Sequence, residues 1–293
     1  TTWLALLGVW LVAMALVRDI YQGRDMARIM SFVMAVFALV PALAPTLGHF
    51  IILGFGWRAI FAAFMLFSVI TLLWLLIRQP ETLMPGNRRP LSIAALYTAT
   101  AQMFAHRTAR LSIAVQTLVF GILFIVLSST QQVFDVTFGQ GAHFHYWFGG
   151  IAILAASASL LNARLVMRLG MRAIIKAMLT IQIGITLAMI AITAMDGPYW
   201  LAFGTYVIWV TGNFFQAGLT IGNLNALAME DMGHIAGLAA SIIAAISTIG
   251  AVLIAAPIAL MFDGTPMPMA VGALVAASIA LWLTTKIKRP GEA

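Results

Sequence analysis

The sequence predicts an all-α, polytopic membrane protein with about nine transmembrane helices. Three observations carry that prediction. Nine stretches are free of Asp, Glu, Lys and Arg: 1–17, 29–57, 59–77, 111–134, 136–163, 177–195, 197–229, 232–262 and 264–285. Each is about the ~20 residues that an apolar helix needs to cross a bilayer. The 293-residue chain is 62% hydrophobic and 9% charged, with a mean hydropathy of +1.02. Its basic residues gather on one side of the zigzag that the nine spans define. Solid apolar runs of this length must be helices, because lipid satisfies no backbone hydrogen bond and a barrel strand reads as weak alternation instead.

The connections follow in order. After span one comes 18–28, after span three the long segment 78–110, after span five 164–176, after span seven 230–234, and after span nine the tail 286–293. These alternate connections hold fifteen of the sixteen Lys and Arg residues, and the opposite side has only Arg58 with Asp135, Asp196 and Asp263. The positive-inside rule makes the basic side, and with it the C-terminus, cytoplasmic. The opposite turns are short and built on Gly and Pro, as in Asp263-Gly264-Thr265-Pro266. Segment 78–110 is broken by prolines and then carries apolar residues at Ile93, Leu96, Tyr97, Met103 and Phe104, which suits a helix lying along the membrane face. The expected organisation is three helices in 1–77, a cytoplasmic linker in 78–110 and a six-helix bundle in 111–293.

Composition excludes several chemistries. The net charge of +7 marks cytoplasmic loops, not a nucleic-acid site. No cysteine is present, so disulfide and thiol chemistry are out. No His, Asp and Glu set has metal-ligand spacing, and no carboxylate pair, Ser-His-Asp set or phosphate loop appears. Neither an enzyme nor a cofactor is expected. Thr1 stands where a methionine would, and residues 1–17 lack the basic start and cleavage site of a signal peptide. The expectation is a fragment or truncated product whose native start lies upstream.

Ionisable groups inside a membrane are functional by default, and here all fall at span ends. Uncharged polar residues carry more. In span seven Tyr206, Trp209, Asn213, Gln216, Thr220 and Asn223 recur every three or four residues and share one helix face. In span four Gln116, Phe120, Phe124, Leu127 and Gln131 do the same. Such faces suit a cavity for amphipathic molecules, with rings supplying area and amides a few hydrogen bonds. The alternative is that the amides bond to neighbouring helices. Tyr146, Trp147 and Phe148 read as an interfacial anchoring belt. Pro41 and Pro45 remove backbone donors from span two and bend it, and Gly48 allows a close neighbour. Arg164, Arg168 and Arg172 make a basic cytoplasmic loop.

Several motifs carry a resemblance. The residues at 17–34, the Pro/Gly run ALVPALAPTLGHF (38–50), GWRAIF (56–61), PETL (80–83), LLNARLVMRLG (160–170) and MGHIAGLAAS (232–241) occur in the order of one family. The chain resembles the bicyclomycin/chloramphenicol-resistance drug-efflux branch of the major facilitator superfamily. The resemblance implies that superfamily's twelve-helix fold without its first three helices, so that spans four to nine form a complete half. It implies an inner-membrane pump that, in the full-length parent, exchanges protons for small amphipathic drugs by alternating access. Trp209, Asn213, Gln216, Thr220, Gln116, Phe120 and Phe124 would then face substrate. Pro41, Pro45 and Gly48 would be its antiporter motif, and Arg164, Arg168 and Arg172 a latch on the inward gate. The expected partners are a drug-sized molecule, protons and the bilayer. A membrane protein that keeps the fold without transporting, such as an assembly partner, is the competing reading.

Overall fold

The computed structural model describes residues 44, 46–78, 93–195, 197–230, 232 and 235–287, and every regular element among them is helical. The chain divides into two compact units, Thr1–Ser92 and Ile93–Ala293.

In the first unit, α1 (Thr46–Phe55) and α2 (Arg58–Arg78) are described. Pro41 and Pro45 lie outside the described residues, and Gly48 falls in α1 with open space where a Cβ would stand. The α1–α2 turn needs Gly56, whose φ of +78° is strained for any residue with a Cβ. Helix α2 contains no charge between its terminal arginines and is long and apolar enough to cross a membrane. Its hydroxyls are consumed locally, Ser68 donating to Phe64 O at 2.8 Å and Thr71 to Phe67 O at 2.7 Å. At its ends Arg58 lies over Trp57 (5.1 Å) and Arg78 over Trp74 (5.7 Å), pairs that suit the two interfaces.

The second unit holds α3 (Ile93–Ala105), α4 (Arg107–Gln132), α5 (Phe144–Leu169), α6 (Met171–Ala194), α7 (Tyr199–Ala228), α8 (Ala236–Leu260) and α9 (Met267–Thr284). Helices α4, α5, α6, α8 and α9 are long and apolar enough to span a bilayer. Helix α7 has 30 residues and no charge. It is not one of those apolar spans, because asparagines, a glutamine and threonines interrupt it.

Helix α4 packs against α7, α8 and α9, while α7 also packs against α5 and α6, and α6 against α9. Small residues set these distances. A Cβ on Gly250 of α8 would overlap Thr117 Cγ2 of α4, and one on Gly218 of α7 would sit 2.9 Å from Ala158 Cβ of α5. The core joins Ile122, Ile125 and Val126 of α4 to Trp209 of α7 and Ala273 and Ala277 of α9. Helix α3 docks Ala99 and Met103 into a second cluster with Ile113 of α4 and Ile242 and Ile243 of α8, leaving Tyr97 exposed.

Two features depart from the sequence reading. Helix α4 continues through a π-helical turn, Val133–Thr137, that buries Val133 and Phe134. Residues 146–148 are not one belt. Phe148 is buried and meets Phe214 edge-on at 5.5 Å, whereas Tyr146 and Trp147 stay exposed, Trp147 meeting Phe203 edge-on at 5.0 Å. The cause is the pair of rings on α7, Phe203 near its start and Phe214 at its middle, which face this end of α5.

Candidate functional site

Helix α4 is closed on most sides by its neighbours and keeps one half-open stripe. The stripe runs Phe120, Phe124, Leu127 and Gln131, at helical spacings of three and four, and is separate from the α4–α8 groove lined by Arg110, Ala114 and Thr117. Phe120 and Phe124 are half-buried with ring centroids 6.5 Å apart, and Leu127 and Gln131 are exposed. Thr117 returns its hydroxyl to Ile113 O at 2.8 Å. The stripe therefore offers aromatic area with an amide toward the far end. Gln116 is on a different side of α4: it is 2% exposed and points into the unit.

The α7 stripe sits behind that surface. Tyr206, Trp209, Asn213, Gln216, Thr220 and Asn223 are all buried inside the unit. At its outer part, Trp209 Nε1 donates to Thr186 Oγ1 of α6 at 2.9 Å. Gln182 of α6 donates Nε2 to Trp209 O at 3.4 Å, and its Oε1 lies 2.6 Å from the point where Gly212 would carry a Cβ. At its inner part, Asn223 Nδ2 donates to Asn162 Oδ1 of α5 at 2.8 Å. Thr220 turns its hydroxyl back to Gln216 O at 2.8 Å, and Asn213 Nδ2 donates to Trp209 O at 2.8 Å.

The middle of the stripe is different. Gln116 Oε1, Asn213 Oδ1, Gln216 Nε2 and Gln182 Oε1 are buried without a hydrogen-bond partner. A buried amide group left unpaired costs roughly 1–3 kcal/mol. The four side chains lie on α4, α6 and α7, and α7 packs against both of the others. Gln182 and Thr186 escape a reading by periodicity because each stands almost alone in an apolar helix. Their spacing of four in an otherwise apolar span was the available signal.

The basic loop is short. Helix α5 ends at Leu169, Gly170 turns the chain with φ +78°, and α6 begins at Met171. Arg164 and Arg168 are exposed on the last turns of α5. Arg172, on the first turn of α6, reaches Glu230 just beyond α7, Nη2 to Oε2 at 3.3 Å. This pair ties the α5–α6 corner to the same end of α7. At the opposite end, Phe134 and Phe138 of the α4 extension pack with Phe203 and Tyr206 of α7, at centroid distances of 5.2 to 5.7 Å. Tyr199 donates its hydroxyl to Phe138 O at 2.9 Å. The six-helix unit is thus closed by rings at one end and by an ion pair at the other.

Helices long and apolar enough for a bilayer, packed around buried amides, define a polytopic membrane protein. Residues 4–255 match the Major Facilitator Superfamily, and the chain belongs to that family. It is 26% identical over 271 residues to the "Bicyclomycin resistance protein homolog" of Haemophilus influenzae, covering 90% of this chain and 66% of that protein. It is 27% identical over 240 residues to the "Uncharacterized MFS-type transporter YdgK" of Bacillus subtilis, covering 78% of this chain and 57% of that one. A shorter match, 35% over 86 residues, joins 29% of the chain to 20% of the "Multidrug resistance protein MdtL" of Escherichia coli. The chain thus spans 57% to 66% of the lengths of the two relatives that cover most of it.

Proposed function

We propose that this protein exports small amphipathic molecules across the bacterial inner membrane by alternating access, with proton antiport as the driving reaction and the C-terminus in the cytoplasm. The observation that carries this reading is the half-open α4 stripe of Phe120, Phe124, Leu127 and Gln131 on a helix that packs against α7, α8 and α9. A lipid-facing surface has no use for an amide, whereas a cavity for an amphiphile uses rings and one or two polar groups together. The names of two relatives, bicyclomycin resistance and multidrug resistance, point to the same substrate type. The distribution of basic residues supports the orientation.

Within this reading, Trp209, Asn213, Gln216, Thr220 and Gln116 form the polar support behind the stripe. Rearrangement between states brings their unpaired atoms to substrate or water. Pro41, Pro45 and Gly48 act as the antiporter motif, and Arg164, Arg168 and Arg172 as the gate loop.

The test is export from proteoliposomes holding the chain, with a drug panel and an imposed proton gradient. Gradient-dependent export that falls on Phe124→Ala supports the reading. Export that proceeds unchanged in Phe124→Ala and with the gradient collapsed overturns it.

A further inference from the structure

We propose that the corner between α3 and α4 is a binding site for one anionic phospholipid. A groove of about 390 Å³ opens there, with Phe104 of α3, Arg110, Ile113 and Leu118 of α4 and Ile246 of α8 among its walls. Arg110 stands at its mouth. The guanidinium is exposed, donates Nη1 to Phe104 O at 3.1 Å, and makes no ion pair among the described residues. Arg107, one turn earlier, is also exposed. The first turn of α4 has no side-chain cap, so its free N–H groups add to the same positive field.

Beneath the guanidinium the groove changes character. From Arg110 to Leu118 it descends about 12 Å along α4, at 1.5 Å per residue. Its walls there are apolar except for Thr117, whose hydroxyl is already spent on Ile113 O. Gly250 against Thr117 brings α4 and α8 together and closes the floor. A soluble anion would be drawn to the mouth but would gain nothing from these walls. An acidic peptide would have to bury backbone groups with no partner. The matching ligand carries a phosphate at one end and hydrocarbon at the other. An anionic phospholipid is the amphiphile of that form in the surrounding bilayer, and basic pockets between helices at the cytoplasmic face suit such headgroups. Tyr97, exposed on α3, places that helix at the same interfacial level.

The inference uses the proposed orientation only to say which leaflet supplies the lipid. Binding itself is read in detergent, independently of transport. The full chain is titrated with phosphatidylglycerol and with phosphatidylcholine of the same acyl chains, and bound lipid is counted by native mass spectrometry. One interfacial arginine is worth roughly 1 kcal/mol toward an anionic lipid, so phosphatidylglycerol should bind about fivefold more tightly. That preference should vanish in Arg110→Gln, return in Arg110→Lys and persist in the control Arg78→Gln. Ala114→Phe, which fills the groove, should weaken both lipids. Melting without added lipid shows that each variant is folded. An unchanged preference in Arg110→Gln, or unchanged binding in Ala114→Phe, overturns the site. So does displacement of the lipid by an exported drug, which would assign the groove to cargo.

Discussion

Trp209 and Thr186 share a hydrogen bond of 2.9 Å between α7 and α6, with the indole N–H donating to the hydroxyl. Thr186 in turn donates to Gln182 O on its own helix at 2.7 Å. The largest buried side chain of the unit is thereby fixed in rotation as well as in depth. Thr186→Val keeps the volume and removes the acceptor. The expected cost is about 1 kcal/mol, within the range of interhelical bonds in membranes. Trp209→Phe should cost more, because it also opens a cavity. Unfolding in mixed micelles measures both. A Thr186→Val variant as stable as the parent would show that the bond contributes nothing net.

Asn223 and Asn162 give the matching bond between α7 and α5. Here both partners are amides, so a double-mutant cycle can isolate the pair. Asn223→Leu and Asn162→Leu singly should each destabilise by about 1 kcal/mol, since each strands a partner. The double variant should lose less than the sum. Additive losses in the unfolding free energies would mean that the two side chains are energetically independent.

These bonds show what the sequence could and could not say. The spacing of Tyr206 to Asn223 correctly puts six residues on one helix face, because a helix repeats every 3.6 residues whatever surrounds it. It gives a direction along the helix wheel but no neighbour. Gly212 and Gly218 decide that question, since Gly212 lets α6 approach the flank of that polar face and Gly218 lets α5 approach the opposite side of α7. The half-open α4 stripe was legible from Phe120 to Gln131, but Gln116 was grouped with it and lies inward. The π turn at Val133–Thr137 leaves no mark, because Val-Phe-Asp-Val-Thr is compatible with an ordinary helix. The ring contacts of Trp147 and Phe148 are long-range partnerships that a local belt reading cannot contain. The superfamily itself was legible, because loop motifs in a fixed order survive where overall identity is only about 26%.

Asp263 governs the start of α9. Its Oδ1 accepts from Thr265 N at 2.9 Å and Thr265 Oγ1 at 2.7 Å, and Thr265 Oγ1 accepts from Met267 N at 3.2 Å. The Thr265 hydroxyl, then the backbone N–H, hold this carboxyl below the usual carboxylate range. A depressed folded pKa means stabilisation that is present above the unfolded value and lost as pH falls through the folded one. Exchange of the Met267 amide should therefore accelerate, relative to the intrinsic rate, only in strong acid. Asp263→Asn should abolish that acid step, and a step that survives the substitution would assign it to another group.

Arg172 and Glu230 close the opposite end at 3.3 Å. Both are partly exposed, so the pair is worth at most ~1 kcal/mol in stability. Under the proposed alternating access, the same free energy would shift a population of states about fivefold. Glu230→Gln should leave melting nearly unchanged and raise labelling of a cysteine placed at Leu227, buried about one turn inside the pair. Arg172→Glu with Glu230→Arg should restore the parent labelling rate. Labelling that stays high in the swapped pair would mean that position, and not charge attraction, controls the closure.

Asn213 and Gln216 offer the sharpest separation of support from substrate contact. Each has a buried atom with no partner, Oδ1 of Asn213 and Nε2 of Gln216. If those atoms only support the fold, leucine relieves an unpaired group, and the variants should be as stable as the parent or more so. If they meet substrate in another state, leucine removes a hydrogen bond that one compound uses and another does not. That difference is about 1 kcal/mol, several-fold in apparent affinity. Asn213→Leu and Gln216→Leu should then reorder a panel of exported compounds at unchanged protein level. Asn223→Leu serves as the contrast, because its Nδ2 donates both to Asn162 Oδ1 and to Leu219 O. It should lower melting without reordering the panel. Profiles that stay parallel to the parent in both Asn213→Leu and Gln216→Leu would place the centre of α7 in structural support alone.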